Sequence, residues 1–535
     1  MTTPVSLLTW SAAILPIVLL LYLLIIRQWA VVDAAIFGLI TTLITAFFVF
    51  KAPILTLSVE ITKGVWNSLS IIAVIIPAIF LYELSLKVNA FKSIQQALTQ
   101  MIPDRFLQVL AIGWCFASFL QGPSGFGVPI AVTAPILIGI GIRPFYAVAI
   151  PLIGHSWAGT FGTLGLGWQA LMQQIGINPT SPLYLETALW TTLFTGIVVS
   201  FSGFLIAYIY GGMRAIKHGF PAIVILGCVF FVGQMITSHY FSALSAVVPS
   251  TIALGVIFLI AKLPCYQGKS IPCRIENVAS DRTFATNNDT KSTSISFFEA
   301  LLPYLVLVFL SAIVLIVPSI KKYLGQFTMS LSFARTTTGY GFENPAIEIY
   351  GQVAWFTHSG FFLLVSALIT YIFFYAKGLI KKAETSKMLR VTIEKSVPPA
   401  LSIMLLLIMS KVMNGSNQIG VLALGTATVT GGYYTYFTPL VGMIGTFMSS
   451  SNVSSNILFA EFQSSMAEIT GKNVALLLAA QTGGGAVGTM ISPSNLLLGV
   501  TTAGILGQEG NIIKKLLPFI VFLVIIIGIL TRIFA

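Results

Sequence analysis

Long runs of apolar residues alternate with short polar segments along almost the whole chain. Many of these runs are long enough to cross about 30 Å of hydrocarbon as helices. They lie near residues 7–26, 30–50, 64–85, 183–210, 219–238, 241–262, 297–318, 353–376 and 514–534. Two further runs, at 396–413 and 473–490, are nearly long enough. The pattern predicts an all-α polytopic membrane protein.

Other apolar runs are too short to cross a bilayer, and they occur in pairs around polar stretches. The pairs are 106–120 and 128–142, which flank 121–127, and 437–448 and 457–470, which flank 449–456. Glycine and proline do not continue a helix cheaply, and non-helical backbone at membrane depth survives only where protein or a watery cavity covers it. We therefore predict two re-entrant helical hairpins, 106–142 and 437–470, whose tips meet around a polar cavity.

Composition and charge support a membrane protein. The chain is 56% hydrophobic and 8% charged, with a mean hydropathy of +0.94, whereas a soluble globular chain carries about 25% charged residues. The net charge of +12 comes from cations at helix ends and in loops, where the positive-inside bias places them. We therefore expect membrane lipid, and no nucleic acid, as a partner. The first apolar run has no preceding Lys or Arg and no cleavage site, so we expect a retained helix.

The loop cations also predict the topology. Residues 211–218, 262–296 and 377–395 are rich in Lys and Arg, so we place them in the cytoplasm. Counting spans from these loops makes the two hairpins enter from opposite faces. This indicates an inverted repeat, formed by 56–211 and 391–535. Residues 1–55 would then be N-terminal helices, and 212–390 would be connecting helices and loops.

Each proposed repeat contains a glycine-rich span after its hairpin, within 144–165 and 473–490. "HSWAGTFGTL" (155–164) aligns with "QTGGGAVGTM" (481–490) at two glycines and a threonine. The separation from Ser124 to His155 equals that from Ser450 to Gln481, at 31 residues. Similarity among glycine-rich membrane segments also arises by chance, but equal spacing with opposed topology favours a repeat. We predict that both spans are broken helices.

The interrupted elements suit an anion, because helix N-termini present free N–H groups and positive dipole ends. Isolated small residues more commonly serve helix packing, but clusters flanked by short helical arms favour a binding site. We expect substrate-binding residues at Gln121, Gly122, Ser124, Gly125, Gly127, Ser156, Ser451, Asn452, Ser454, Ser455, Asn456, Thr482, Gly484 and Thr489.

The sequence contains few signs of catalysis or of cofactor binding. The four cysteines form no Cys-x-x-Cys pattern, and no P-loop pattern is present. No nucleophile–base pair or metal cluster is visible, which makes a membrane-embedded enzyme the remote alternative. We therefore expect a non-enzyme without cofactor or metal.

Two motifs make the chain resemble the L-lactate permease family of 2-hydroxy-monocarboxylate transporters. They are "FLQGPSGFGVPIAVTAPI" and "SSNVSSNILFAEFQSSMAEITGKNVALLLAAQTGGGAVGTMISPSNL", and softer similarity extends over most of the chain. The resemblance implies a multi-pass carrier of the cell membrane that takes lactate or glycolate inward with protons. A homodimer is left open.

The chain departs from the family pattern at charged positions. Where the family usually has Glu, Asp and Lys, this chain has Gln121, Asn452 and Thr489. His155 replaces an Asn and brings in a titratable group. Losing two acids and a Lys together keeps the site near charge balance, as the cost of unpaired buried charge requires.

Proton coupling must therefore use other groups. His155 titrates near neutrality, although a lone His is as commonly a packing residue. Glu461 lies in an apolar arm and is a second proton-coupling candidate, with snorkelling to water as its alternative. Lys411 is close to the end of its apolar run, so we expect it to anchor at the interface.

These features predict a proton-coupled symporter for L-lactate or similar small 2-hydroxy-monocarboxylates. The alternatives are a carrier for a different small anion and a passive anion channel.

Overall fold

The computed structural model describes residues 3–125, 127–267, 271–276 and 295–535. Part of the predicted cytoplasmic loop 262–296 and Phe126 of the first hairpin tip lie outside the described residues. Within the described ranges, eleven helices are long and apolar enough to span a membrane. Each of the eleven long apolar runs in the sequence has its counterpart among them. The prediction of a helical polytopic membrane protein is therefore confirmed.

The helices of the first half are α1 (Leu7–Leu21), α2 (Val31–Phe48), α3 (Ile54–Lys87), α4 (Ala90–Met101), α5 (Arg105–Leu110), α6 (Ala117–Gln121), α7 (Val128–Gly139), α8 (Pro144–His155), α9 (Gly162–Gln174), α10 (Pro182–Gly211), α11 (Met213–Tyr240) and α12 (Val247–Ile260). A π-helical turn, Tyr22–Ile26, extends α1, and another, Ala111–Phe116, joins α5 to α6.

The helices of the second half are α13 (Phe297–Ile316), α14 (Pro318–Leu324), α15 (Ser359–Ala376), α16 (Lys382–Gly415), α17 (Gln418–Thr430), α18 (Tyr434–Ser449), α19 (Asn452–Thr470), α20 (Val474–Gly488), α21 (Pro493–Thr502) and α22 (Glu509–Phe534). The strands are β1 (Thr328–Phe333), β2 (Thr336–Thr337), β3 (Glu343–Asn344) and β4 (Ile347–Ala354).

The strands are an addition to the predicted all-α fold. β1 pairs antiparallel with β4, and β2 pairs antiparallel with β3. The pairing lies in the polar segment between α14 and α15, outside the apolar spans. β4 takes the first residues of the predicted run 353–376, so α15 begins later than the hydropathy indicates. The strands contact the N-terminal half of α3, where Trp66 Nε1 donates to the carbonyl oxygen of Gly351 at 2.9 Å.

Two long helices form the centre of the packing. α3 and α16 are 34 residues each, longer than the predicted runs 64–85 and 396–413, because helix continues through charged residues at their ends. Lys395 Nζ lies 2.5 Å from Glu83 Oε1. At the other end of the pair, a Cβ on Gly64 would lie 2.6 Å from Ile408 Cα. The two helices are therefore antiparallel and nearly in backbone contact.

The same series of elements follows each long helix. After α3 come the 12-residue α4, the helical pair α5/α6–α7, the interrupted pair α8–α9 and the 30-residue α10. After α16 come the 13-residue α17, the pair α18–α19, the interrupted pair α20–α21 and the 26-residue α22. The first series lies within residues 56–211 and the second within residues 391–535.

The second helical pair packs very closely on α20. A Cβ on Gly442 of α18 would overlap the carbonyl oxygen of Gln481, and a Cβ on Gly484 of α20 would overlap that of Pro439. Small residues allow membrane helices to approach in this way. As a result, α18 and α20 form one tightly packed unit.

We expect Gly442→Ala to destabilise the protein by about 1–3 kcal/mol, because the added methyl group must separate α18 from α20. The measurement is thermal unfolding of the purified protein in detergent. Gly227→Ala is the matched control, since Gly227 is a buried helical glycine whose Cβ would meet nothing within 4 Å. Equal melting temperatures for the two variants would contradict the close packing.

Candidate functional site

A small polar cavity lies where the turn between α6 and α7 and the turn between α18 and α19 meet the two interrupted helices. Its volume is about 50 Å³, which holds only a few water molecules. The cavity is lined by Gln121, Gly127, His155, Gly159, Gly162, Thr163, Ser450, Ser451, Asn452, Val453, Thr489 and Asn495. Among these residues none is Asp, Glu, Lys or Arg. The two polar stretches singled out in the sequence thus reach one neutral cavity.

The turn between α6 and α7 stabilises the interruption between α8 and α9. A short 3₁₀ segment, Ser156–Gly159, follows α8, and then Thr163 and Leu164 adopt left-handed backbone with φ of 51° and 52°. Left-handed backbone costs a non-glycine residue about 1–2 kcal/mol, so surrounding contacts must maintain it. Leu164 N donates to the carbonyl oxygen of Gly122 at 2.8 Å, and a Cβ on Gly125 would overlap Thr163 Oγ1.

The turn between α18 and α19 contains fewer residues than the sequence indicates. Ser450 is left-handed (φ 57°) and Ser451 is extended, and helix α19 already begins at Asn452. The predicted loop 449–456 is therefore wrong for residues 452–456, which form the first turns of a helix. Polar residues are suited to the first turn of a helix, because its first N–H groups have no intrahelical partners and can bond to polar side chains.

Asn452 is the hydrogen-bonding centre of the site. Its Nδ2 donates to Thr160 Oγ1 at 3.0 Å and to Thr482 Oγ1 at 3.2 Å, and its Oδ1 accepts from Thr446 Oγ1 at 3.4 Å. The two threonine hydroxyls are 2.9 Å apart. Asn456 Nδ2 also donates to Thr482 Oγ1, at 3.0 Å. This network joins α19 to both interrupted helices.

The residues predicted to bind substrate fall into three groups. Those that line the cavity are Gln121, Gly127, Ser451, Asn452 and Thr489. Those next to it, in the hydrogen-bond network, in the adjoining vestibule or in the first turn, are Asn456, Thr482, Ser454, Gly122 and Gly125. Those that the structure places in packing or side-chain hydrogen bonds are Ser156, Ser455 and Gly484. Ser124 donates its backbone N–H to the Leu120 carbonyl oxygen, and its Oγ is buried without a partner.

The two proton-coupling candidates are far from equivalent. His155 is buried and lines the cavity, and its Nδ1 lies 2.5 Å from the carbonyl oxygen of Pro151. Glu461 lies elsewhere on α19 and is buried at 5% exposure, so it does not snorkel to water. Its Oε1 lies 2.5 Å from Lys411 Nζ.

The expectation that Lys411 anchors at the interface is wrong. Lys411 is 5% exposed, because α16 continues past it to Gly415 and α19 packs beside it. A neighbouring pair, Glu60 and Lys63 of α3, is equally buried, with 2.6 Å between Nζ and Oε1. The buried charges of this region are thus concentrated in one layer outside the neutral cavity.

A larger vestibule of about 490 Å³ adjoins the cavity. The two share Ser450, Ser451 and Asn495. Further along, the vestibule is lined by Ser402, Tyr82 and Lys395. Tyr82 lies near the end of α3, and Lys395 is the last residue of the Lys- and Arg-rich segment 377–395 at the start of α16. The vestibule therefore leads from the cavity toward the side that the sequence places in the cytoplasm.

Several site residues were missed by the sequence analysis. Thr160 and Thr163 belong to the first interruption, and Asn495 follows the second, which extends through Ser492 to Pro493. The signal for Asn495 was present in "ISPSN", since proline and polar residues mark a helix start. Thr163 also carried a signal, because it is the threonine that aligns with Thr489 in the two glycine-rich spans. Thr160 carries no such signal among many membrane threonines.

We expect Asn452→Ala to lower the free energy of unfolding by about 1–3 kcal/mol, because it removes the shared partner of three buried hydroxyls. The melting temperature of the purified protein in detergent measures this effect. Asn511→Ala, at an exposed position on α22, serves as the control and should change stability by less than about 0.5 kcal/mol. An unchanged melting temperature for Asn452→Ala would show that the network adds nothing.

Sequence similarity to known proteins covers all the residues of the site. Residues 10–535 match the family model described as L-lactate permease. The L-lactate permease of Escherichia coli K12 is 28% identical, with 97% of this chain and 94% of the relative covered. That of Halalkalibacterium halodurans is 28% identical, covering 97% and 96%. The glycolate permease GlcA of Escherichia coli K12 is 27% identical, covering 97% and 94%.

Among solved structures, the YdaH transporter of Alcanivorax borkumensis aligns with a TM-score of 0.45 at 14% identity, covering 89% of this chain and 86% of that one. This similarity is too low to support an argument. The family match and the eleven apolar helices identify a multi-pass protein of the cell membrane. The chain belongs to the L-lactate permease family.

Proposed function

We propose that the protein is a secondary transporter that carries L-lactate, glycolate or a similar small 2-hydroxy-monocarboxylate across the cell membrane together with protons. The observation that carries the proposal is the neutral polar cavity at the junction of two helix interruptions and two polar turns. Helices α7, α19 and α21 begin beside it, since Gly127, Asn452 and Asn495 line it. Their positive dipole ends favour an anion.

The architecture we propose is an inverted repeat with two re-entrant hairpins, 106–142 and 437–470. The antiparallel packing of the equally long α3 and α16 supports it, as does the matching series of elements after each. Together with the proposed membrane sides, these features describe a carrier in an inward-facing state. Its vestibule opens toward the cytoplasm, and the cavity of about 50 Å³ must widen to accept a hydroxy acid. Alternating access by movement of one bundle against the other follows from this design.

The names of the relatives supply the substrate class. L-lactate and glycolate are both small 2-hydroxy-monocarboxylates, and a neutral cavity with hydroxyl and amide donors fits a carboxylate and a hydroxyl together. Asn452, Thr489 and Gln121 are the side chains that we assign to these groups. A carrier for a different anion is the second candidate, because these three positions depart from the charged pattern of the family.

Reconstituted vesicles should accumulate labelled L-lactate when the outside is acidified. Labelled lactate should also exchange with trapped unlabelled lactate. Exchange of this kind is saturable counterflow, which a passive channel does not show. The control is the same vesicle preparation without protein. Absence of uptake of every hydroxy acid tested would overturn the proposal, and competition among acids separates lactate from another anion.

We expect His155→Asn to slow or uncouple proton-driven uptake, since His155 is the titratable side chain among the residues that line the cavity. The measurement compares lactate accumulation under a pH gradient with counterflow at equal pH. A variant that retains full accumulation would show that His155 serves packing, through its contact with the Pro151 carbonyl oxygen.

A further inference from the structure

We propose that Lys411 and Glu461 together form the loading site for the proton and the substrate anion on the outer side of the cavity. Protonation of Glu461 releases Lys411, which then binds the substrate carboxylate. The inference rests on the proposed function and names the groups that take up the proton and the anion before they reach the cavity.

The pair is buried, and only one of the two carboxylate oxygens of Glu461 is hydrogen-bonded. Lys411 Nζ donates to Glu461 Oε1 at 2.5 Å and to the carbonyl oxygen of Gln174 at 2.9 Å. The second carboxylate oxygen, Glu461 Oε2, is buried without a hydrogen-bond partner. Burying charge is costly unless each atom is satisfied, so the incomplete bonding indicates a site that accepts another donor.

Two more acceptors without partners lie along the same route. Gln174 Oε1 and Asn456 Oδ1 are buried and unpaired. Gln174 Nε2 donates to the carbonyl oxygen of Ile457 at 3.0 Å, which fixes Gln174 beside α19 between Asn456 and Glu461. Buried polar atoms are nearly always paired. A proton on Glu461 and the hydroxyl of a 2-hydroxy acid are donors of the kind that this group of acceptors lacks.

The pair lies at the end of the site opposite the vestibule. Glu461 is nine residues beyond Asn452 on α19, about 14 Å along the helix axis. Lys411 is likewise nine residues beyond Ser402, which lines the vestibule. The network of Asn452, Thr482 and Asn456 occupies the space between. A substrate arriving from the outer side would therefore meet Lys411 before it reaches the cavity.

The surrounding charges make the exchange electrically balanced. α3 contributes Glu60 and Lys63, which pair with each other. β4 contributes the Tyr350 hydroxyl, which accepts from Asn67 Nδ2 at 3.0 Å. The four charged side chains sum to zero. Adding one proton and one monocarboxylate leaves that sum unchanged, whereas adding either alone leaves an unbalanced buried charge.

The test is a double-mutant cycle in reconstituted vesicles. We expect Glu461→Gln to retain L-lactate counterflow and to make it independent of pH, because Lys411 is then permanently free. Its accumulation under a pH gradient should fall at least tenfold. Lys411→Gln should lose both activities at least tenfold. The double variant should regain thermal stability but neither activity. The matched control is Glu60→Gln with Lys63→Gln, which removes a buried pair outside the proposed loading site and should keep pH-driven accumulation.

The outcomes separate a coupling role from a structural one. If the pair served only stability, the double variant would recover proton-driven uptake as well as its melting temperature. That result, or full accumulation by Glu461→Gln, would overturn the inference while the transport function stands. If the unaltered protein shows no counterflow of any hydroxy acid, the proposed function fails, and the inference is overturned with it.

Discussion

The need to satisfy every backbone polar group inside the protein governs this structure, because hydrocarbon offers no hydrogen-bond partners. Helix is interrupted at several places, and each interruption exposes peptide groups. The structure resolves this by bringing the interruptions together. Gly122 accepts from Leu164 N, Gly167 accepts from Asn456 Nδ2, and Ser494 N donates to Ser450 Oγ. A polar centre within an apolar bundle is the direct result.

Charge is distributed in a way that follows from the same constraint. The cavity lining is neutral, so its attraction for an anion must come from helix termini and amide or hydroxyl donors. A cation that could bind a carboxylate more strongly, Lys411, is paired with Glu461, which lies about 14 Å along α19 from Asn452. In the proposed mechanism, substrate binding is therefore weak in the cavity and strong only where a proton first frees Lys411. A carrier needs this difference, since a substrate held too firmly at the centre would not leave.

Much of the fold could be predicted from sequence because hydropathy over a span is a strong and local signal. The spans and the two polar stretches between short apolar runs were found in this way. Lys411 was misassigned because the apolar run ends near it, although helix α16 and its neighbours continue and bury it. The start of α19 was placed too late because serine and asparagine read as loop residues. Thr160 could not be selected, since its role depends on a partner more than 290 residues away, Asn452.

The packing also defines which parts can move. Contact between Gly64 and Ile408 joins α3 to α16, and the glycines of α18 and α20 join the second helical pair to its interrupted helix. The ends of the helical pair α5/α6–α7 are bonded to the segment 271–276. Arg105 forms an ion pair with Glu276, and Arg143 N donates to the carbonyl oxygen of Ile275 at 2.9 Å. The Lys411–Glu461 pair crosses the boundary between α16 and α19. In the proposed mechanism, an opening of the outer side along this boundary must separate the two charges. In a low-dielectric interior that separation is favourable only when a proton and an anion replace the lost partners, so in the proposed mechanism the same pair closes the outer side and couples its opening to loading.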